Sequence, residues 1–153
     1  MIVLGIDPGS SIIGYGLIEN KKGKLKCLDY GVVKIANPEV GPRLLEMKKE
    51  IDKLLNKSKP KLAVIEKIFF YKNAKTAIEV FEARGVIILS LSQKNIPFVE
   101  VTPLQLKKTL TGYGGAAKIN IQKMLKLILN LEEEPRPDDA ADALALAVIG
   151  AGK

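Results

Sequence analysis

Apolar positions along the chain fall first into short continuous runs and period-two stretches, and later into helical stripes. Met1–Ile6 is almost wholly apolar, the pattern of a central strand buried on both faces. Asp7-Pro8-Gly9-Ser10 breaks that run. Strand-like residues resume from Ile12 to Glu19, where Gly14 and Gly16 alternate with Ile13, Tyr15 and Leu17. The two glycines leave one face of this strand bare, which predicts that another element packs close against it. Lys21–Lys24, with Gly23, reads as a hairpin turn, and a third strand follows over Leu25–Ile35.

The period then changes. Leu44, Leu45, Met47, Ile51, Leu54 and Leu55 recur at helical spacing, and Pro60 ends that helix. Lys61–Ile65 is a second short buried strand with Glu66 at its end. The spacing predicts a long helix over Asn73–Gln93, a strand over Pro97–Val101 and a short helix over Leu104–Leu110. Thr111–Ala117, with three glycines, is a loop. Helices are expected over Ile119–Leu131 and Asp139–Ile149. Three strands that form a meander, followed by strands added through helical crossovers, imply an α/β fold: a mixed five-stranded sheet with helices on both faces. The 153 residues fit one domain, 1–153, with no internal repeat, linker or low-complexity stretch.

Charge narrows the function. Lys and Arg total 24 against 17 Asp and Glu, a net +7, which points to a polyanionic partner, most simply nucleic acid. There is no histidine, so every mechanism built on a histidine base is excluded, as are the usual zinc sites. A single cysteine, Cys27, excludes an internal disulfide and fits a reducing cytosol. With no signal segment and no apolar run of about 18 residues, the expected location is cytoplasmic.

The remaining chemistry lies in carboxylates. Asp7 directly follows an apolar run, where a buried acid is costly unless paired or metal-bound, although an aspartate before Pro-Gly also starts a turn. Glu66 likewise ends a buried strand. Ends of neighbouring parallel strands lie side by side, and functional sites gather there. In Pro137-Asp138-Asp139-Ala140-Ala141-Asp142-Ala143, Asp139 and Asp142 are three apart and share a helix face, while the alanines let the helix lie close to a sheet. Acids in a first helical turn also suit the helix dipole, which accounts for Asp138 as a cap better than for Asp142. Carboxylates gathered in one pocket repel and need cations, and all-oxygen sites suit magnesium or manganese.

Four stretches carry a resemblance: Gly5-Ile6-Asp7-Pro8-Gly9-Ser10 with Gly14-Tyr15-Gly16; Glu66-Lys67-Ile68-Phe69; Asn73-Ala74 leading to Ala83-Arg84-Gly85; and Asp139-Ala140-Ala141-Asp142-Ala143-Leu144-Ala145. In order and spacing they resemble the RuvC family of crossover-junction endodeoxyribonucleases, which resolve four-way (Holliday) DNA junctions. The resemblance covers nearly the whole chain. It implies a ribonuclease H-like fold, paired symmetric nicks in DNA recombination and repair, a homodimer, and a branch-migration motor complex of RuvA and RuvB as partner. Asp7, Glu66, Asp139 and Asp142 match the family's catalytic acids, which hold two Mg²⁺ (or Mn²⁺) ions. Lys107 and Lys118 match lysines that support catalysis, and Phe69 matches an aromatic that stacks on DNA bases. The extra acid, Asp138, is a possible substitute for Asp139.

Three other readings share parts of this pattern. An ATPase or sugar kinase of related fold opens the same way but needs a second domain. A non-catalytic junction binder would keep the lysines and not need the acids. A nuclease of this fold acting on RNA would lack the match at Phe69 and along the Asn73–Gly85 stretch.

Overall fold

The computed structural model describes residues 1–68 and 73–153. Strands β1 (Ile2–Asp7), β2 (Ile12–Lys21) and β3 (Lys24–Lys34) form the expected antiparallel meander, turned by Lys22 and Gly23 at positive φ. Helix α1 (Val40–Ser58) leads to β4 (Leu62–Glu66), which lies parallel to β1, and α2 (Ala74–Gln93) leads to β5 (Phe98–Val101), parallel to β4. Helices α3 (Pro103–Thr111), α4 (Lys118–Leu129) and α5 (Asp138–Ala151) follow. The sheet order is β3-β2-β1-β4-β5, the mixed five-stranded sheet that the pattern implies.

Each sheet face carries its own core. Leu4, Ile6, Ile13, Ala63 and Ile65 meet Met47, Ile51 and Leu55 of α1 and Ala83, Ile87 and Leu91 of α2. Val3, Ile18 and Val64 meet α3, α4 and α5, with Leu106, Leu125 and Leu144 among the contacts. Successive strand residues point to opposite faces. In β1, Leu4 and Ile6 take the α1–α2 face, so Val3, Gly5 and Asp7 take the α5 face; in β4, Ala63 and Ile65 take the first, so Leu62, Val64 and Glu66 take the second.

Helix α5 is buried over nearly its whole length, from Ala140 to Ala151. The bare face of β2 explains how it fits. A Cβ on Gly14 would sit 2.0 Å from the backbone oxygen of Asp139, and one on Gly16 would sit 2.4 Å from Leu144 Cα. The helix therefore rests directly on the strand backbone, as the alternating glycines and the run of alanines predict.

Most boundaries fall within one or two residues of the sequence expectation, and two differences have a clear physical cause. Helix α4 stops at Leu129, because Asn130 turns to φ 50° and its N–H closes back onto Leu127 and Lys126 carbonyls. Asp138 is no cap: Pro137 occupies that position, and Asp138 is the first helical residue, its carboxylate accepting hydrogen bonds from Lys118 Nζ and Gln122 Nε2, each at 3.3 Å.

Candidate active site

Register brings the first two acids together. Ile6 pairs with Ile65 across the parallel β1–β4 ladder, so Asp7 and Glu66 stand one rung further along, on the α5 face. Asp7 also pairs with Gly14, the residue on which the Asp139 backbone rests. The first turns of α5 thus come down beside the ends of β1 and β4. Asp7, Glu66, Asp139 and Asp142 line one open cleft of about 350 Å³, with Ser10, Thr76, Val80 and Lys118. A neighbouring cavity of about 240 Å³ shares Glu66, Asp142 and Lys118 and adds Lys107 of α3.

Electrostatics follow from this crowding. Burial, then the charge of Glu66 and a hydrogen bond between the two carboxyls, with smaller pushes from Asp142 and Asp139, raises Asp7 from its ordinary 3.8 to about 9. Glu66 is also raised, chiefly by burial; its bond to Asp7 and the Lys118 charge hold it down, while Asp142 and Asp139 push it up. Asp142 is raised by burial, against the pull of Lys118 and Lys107. Lys118 is raised too: burial opposes its charge, but its bond to Asp138 and the charges of Asp142, Asp138 and Asp139 prevail. Asp7 and Glu66 are raised together and bear on each other, so the titration belongs to the group rather than to one residue.

That is the electrostatic state a divalent cation relieves, and the donor set is all oxygen. Among the described residues, no three acidic or thiol groups already stand in ligating positions. Lys118, at the start of α4, lines the acid cleft itself, and Lys107, in the middle of α3, reaches Glu66 and Asp142 from the neighbouring cavity. Asp138 is exposed, bound to Lys118, and outside the acid cleft. Phe69 lies outside the described residues.

Ser10 and Thr76 line the cleft without having been singled out as site residues. Ser10 belongs to the turn after Asp7, which offered a signal. Thr76, in the first turn of α2, carries none beyond its polarity. A larger cleft of about 600 Å³ lies between β2, β3 and α1. Its carboxylates are engaged, Asp29 by Tyr15 and Glu50 by Lys53, and it holds no comparable group of acids.

Comparison with known proteins bears on this arrangement. The family model described as "Crossover junction endodeoxyribonuclease RuvC" matches residues 3–150. A protein of that description from Petrotoga mobilis is 50% identical over 148 residues, 96% of this chain and 91% of its own. The structure of Thermus thermophilus RuvC superposes with a TM-score of 0.88 at 34% identity, over 99% of this chain and 94% of that one. Thermus thermophilus RuvC in complex with a Holliday junction substrate superposes with a TM-score of 0.90 at 34% identity, over 97% and 91%.

Proposed function

The chain belongs to the RuvC family of crossover junction endodeoxyribonucleases, and from that membership we propose that it resolves four-way DNA junctions by paired symmetric nicks, with Asp7, Glu66, Asp139 and Asp142 as the ligands of two divalent cations. The fold is ribonuclease H-like, and the enzyme is a nuclease of recombination and repair. The observation that carries the site assignment is the convergence of three chain segments on one cleft, where burial and mutual repulsion raise Asp7 to about 9. Such a set is costly unless something positive occupies it.

Bound Mg²⁺, or Mn²⁺, supplies the activation of water and the charge compensation that phosphodiester cleavage requires. The chain's own residues do the rest. Asp7 and Glu66, fixed at strand ends, hold one side of the site rigidly; Asp139 and Asp142, a helical turn apart on α5, hold the other. Lys107 and Lys118 bring positive charge to the rim, where a scissile phosphate and the charge that develops on it need partners. Phe69, which directly follows Ile68 in the sequence, is proposed to stack on bases near the crossover.

A two-fold homodimer supplies the two matched sites that symmetric resolution needs. Helix α2 supports this reading. Val80, Ala83, Ile87 and Leu91 are buried on the sheet, while Ile78, Phe81 and Leu89, at helical spacing on another side, are 60%, 49% and 52% exposed. A motor complex of RuvA and RuvB is the proposed partner, and the cytoplasm the proposed location; no described helix is long and apolar enough to cross a membrane.

The test is a synthetic four-way junction incubated with the protein, with and without magnesium, beside a linear duplex of the same sequence. Paired nicks at symmetric positions, only in the junction and only with the metal, are expected. Equal cutting of the linear duplex, or cutting in chelator, would overturn the proposal.

A further inference from the structure

Tyr113 is the most exposed aromatic side chain among the described residues, at 70%. It stands in the glycine-bearing loop between α3 and α4, the two helices that carry Lys107 and Lys118 to the cleft rim. A solvent-facing aromatic on a wholly loose loop would carry no meaning, but this loop is built. The Thr111 hydroxyl lies 2.7 Å from the Lys107 carbonyl and 3.0 Å from the Tyr113 carbonyl, and it accepts from the Tyr113 N–H at 3.2 Å. The Ala116 N–H donates to the Tyr113 carbonyl at 3.1 Å. Tyr113 is thereby tied through one hydroxyl to the backbone of Lys107.

The ring is positioned as well as the backbone. A Cβ on Gly115 would meet Tyr113 Cζ and Oη at 2.7 Å, so the absence of a side chain there lets the ring lie close against the chain. Leu104, itself 63% exposed, covers Gly114 in the same way, with its Cδ1 at 2.5 Å from a Cβ built there. The Tyr113 hydroxyl has no hydrogen-bond partner among those the structure records for this loop. A pre-positioned ring open to solvent, in the loop that joins the helices carrying Lys107 and Lys118, has the features of a base-stacking platform: aromatic surface for the base, with cations on the adjoining helices for the backbone.

We propose that Tyr113 is a DNA-binding residue of this enzyme, stacking on a nucleobase of the strand that enters the acid cleft. The proposal rests on the junction-cutting reading above and deepens it, because it adds a contact from the loop between α3 and α4. The role is binding and alignment; Tyr113 takes no part in bond cleavage. Stacking is uncharged, so removal of the ring should lower affinity without altering its salt dependence, whereas loss of a lysine–phosphate contact lowers the salt slope by about one.

The experiment uses the full chain with a synthetic four-way junction carrying 2-aminopurine at successive positions around the crossover, titrated in chelator, followed by cleavage in magnesium. Tyr113→Ala is expected to weaken binding by about tenfold, to relieve 2-aminopurine quenching at one position, and to leave the salt slope and melting temperature unchanged. Tyr113→Phe and Tyr113→Trp should restore both affinity and quenching. Three results would overturn the proposal: Tyr113→Ala binding and quenching like the parent, a slope reduced by about one, or Tyr113→Phe failing as badly as Tyr113→Ala. If the parent made no paired nicks in magnesium, the junction-cutting reading would fail, and the stacking contact would be judged by quenching alone.

Discussion

Asp7→Asn should make the metal-free protein more stable at neutral pH while abolishing the metal site. Asp7 is raised from 3.8 to about 9 by burial and by its carboxylate neighbours. A group whose folded value is raised favours folding fully below its unfolded value, and that advantage is lost as pH rises through the folded value. Between about pH 4 and pH 9, then, the unfolded chain has released this proton while the folded chain keeps it, and stability falls with increasing pH. The slope is at most about 1.4 kcal/mol per pH unit, so from pH 5 to 7.5 the ceiling is ~3.5 kcal/mol. Glu66 titrates together with Asp7 and Lys118 offsets part of the repulsion, so about 2 kcal/mol is expected. Asparagine has the shape of a protonated aspartate, and its amide N–H can still donate to Glu66, with no proton to lose. For a chain of this length, ~2 kcal/mol corresponds to a rise of about 4–8 °C in melting temperature. The assay is thermal melting of parent and Asp7→Asn at pH 5, 6.5 and 7.5 in chelator, repeated with magnesium. The variant should gain on the parent as pH rises. Magnesium, binding only the folded site, should stabilise the parent in proportion to the logarithm of its concentration and the variant far less. If the parent melts higher than Asp7→Asn throughout, with the same pH slope and no response to magnesium, the acids do not form a shared site.

Gly14→Ala should unfold the site by contact alone: its Cβ would lie 2.0 Å from the Asp139 backbone oxygen. Lifting α5 off β2 is expected to cost about 3 kcal/mol or more in urea denaturation, with cutting lost along with it. Asp138→Asn should cut within a fewfold of the parent, because Asp138 is exposed and engaged with Lys118 and Gln122, whereas Asp142→Asn should cut at least about a hundredfold more slowly; single-turnover rates separate the two. Phe81→Glu, which adds a charge to the exposed apolar stripe of α2, should shift the sedimentation profile from dimer to monomer at micromolar concentration without lowering the melting temperature.

Much of this architecture was legible in the residue pattern, for identifiable reasons. The apolar run before Asp7 marks a strand buried on both faces, and the alternating Gly14 and Gly16 announce the close approach of another element, which turns out to be α5. Two buried runs that each end in an acid suggest that Asp7 and Glu66 share one edge of a parallel sheet, and a spacing of three puts Asp139 and Asp142 on one side of a helix; the common face of the first two comes from the β1–β4 register. Asp138 was misjudged because first-turn acids and caps look alike in sequence, and only the tertiary fold brings Lys118 and Gln122 of α4 to its carboxylate. The end of α4 was overrun because Leu131 continues the apolar spacing, while the turn is made by Asn130 in the left-handed region. Thr76 could not be found at all, since its place in the cleft depends on how α2 returns over the sheet. The restraint of Tyr113 was hidden similarly: a glycine-bearing loop reads as flexible until the Thr111 hydrogen bonds are seen.

The most direct test of the site assignment separates binding from cutting in one variant. DNA affinity should come mainly from lysine–phosphate contacts, and bond cleavage from the acids. Asp7→Asn should therefore bind a synthetic four-way junction with an affinity within about twofold of the parent in chelator. In magnesium its single-turnover nicking rate should fall by about a thousandfold or more. A variant that cuts the junction at the parent's rate would contradict the assignment of Asp7 as a metal ligand.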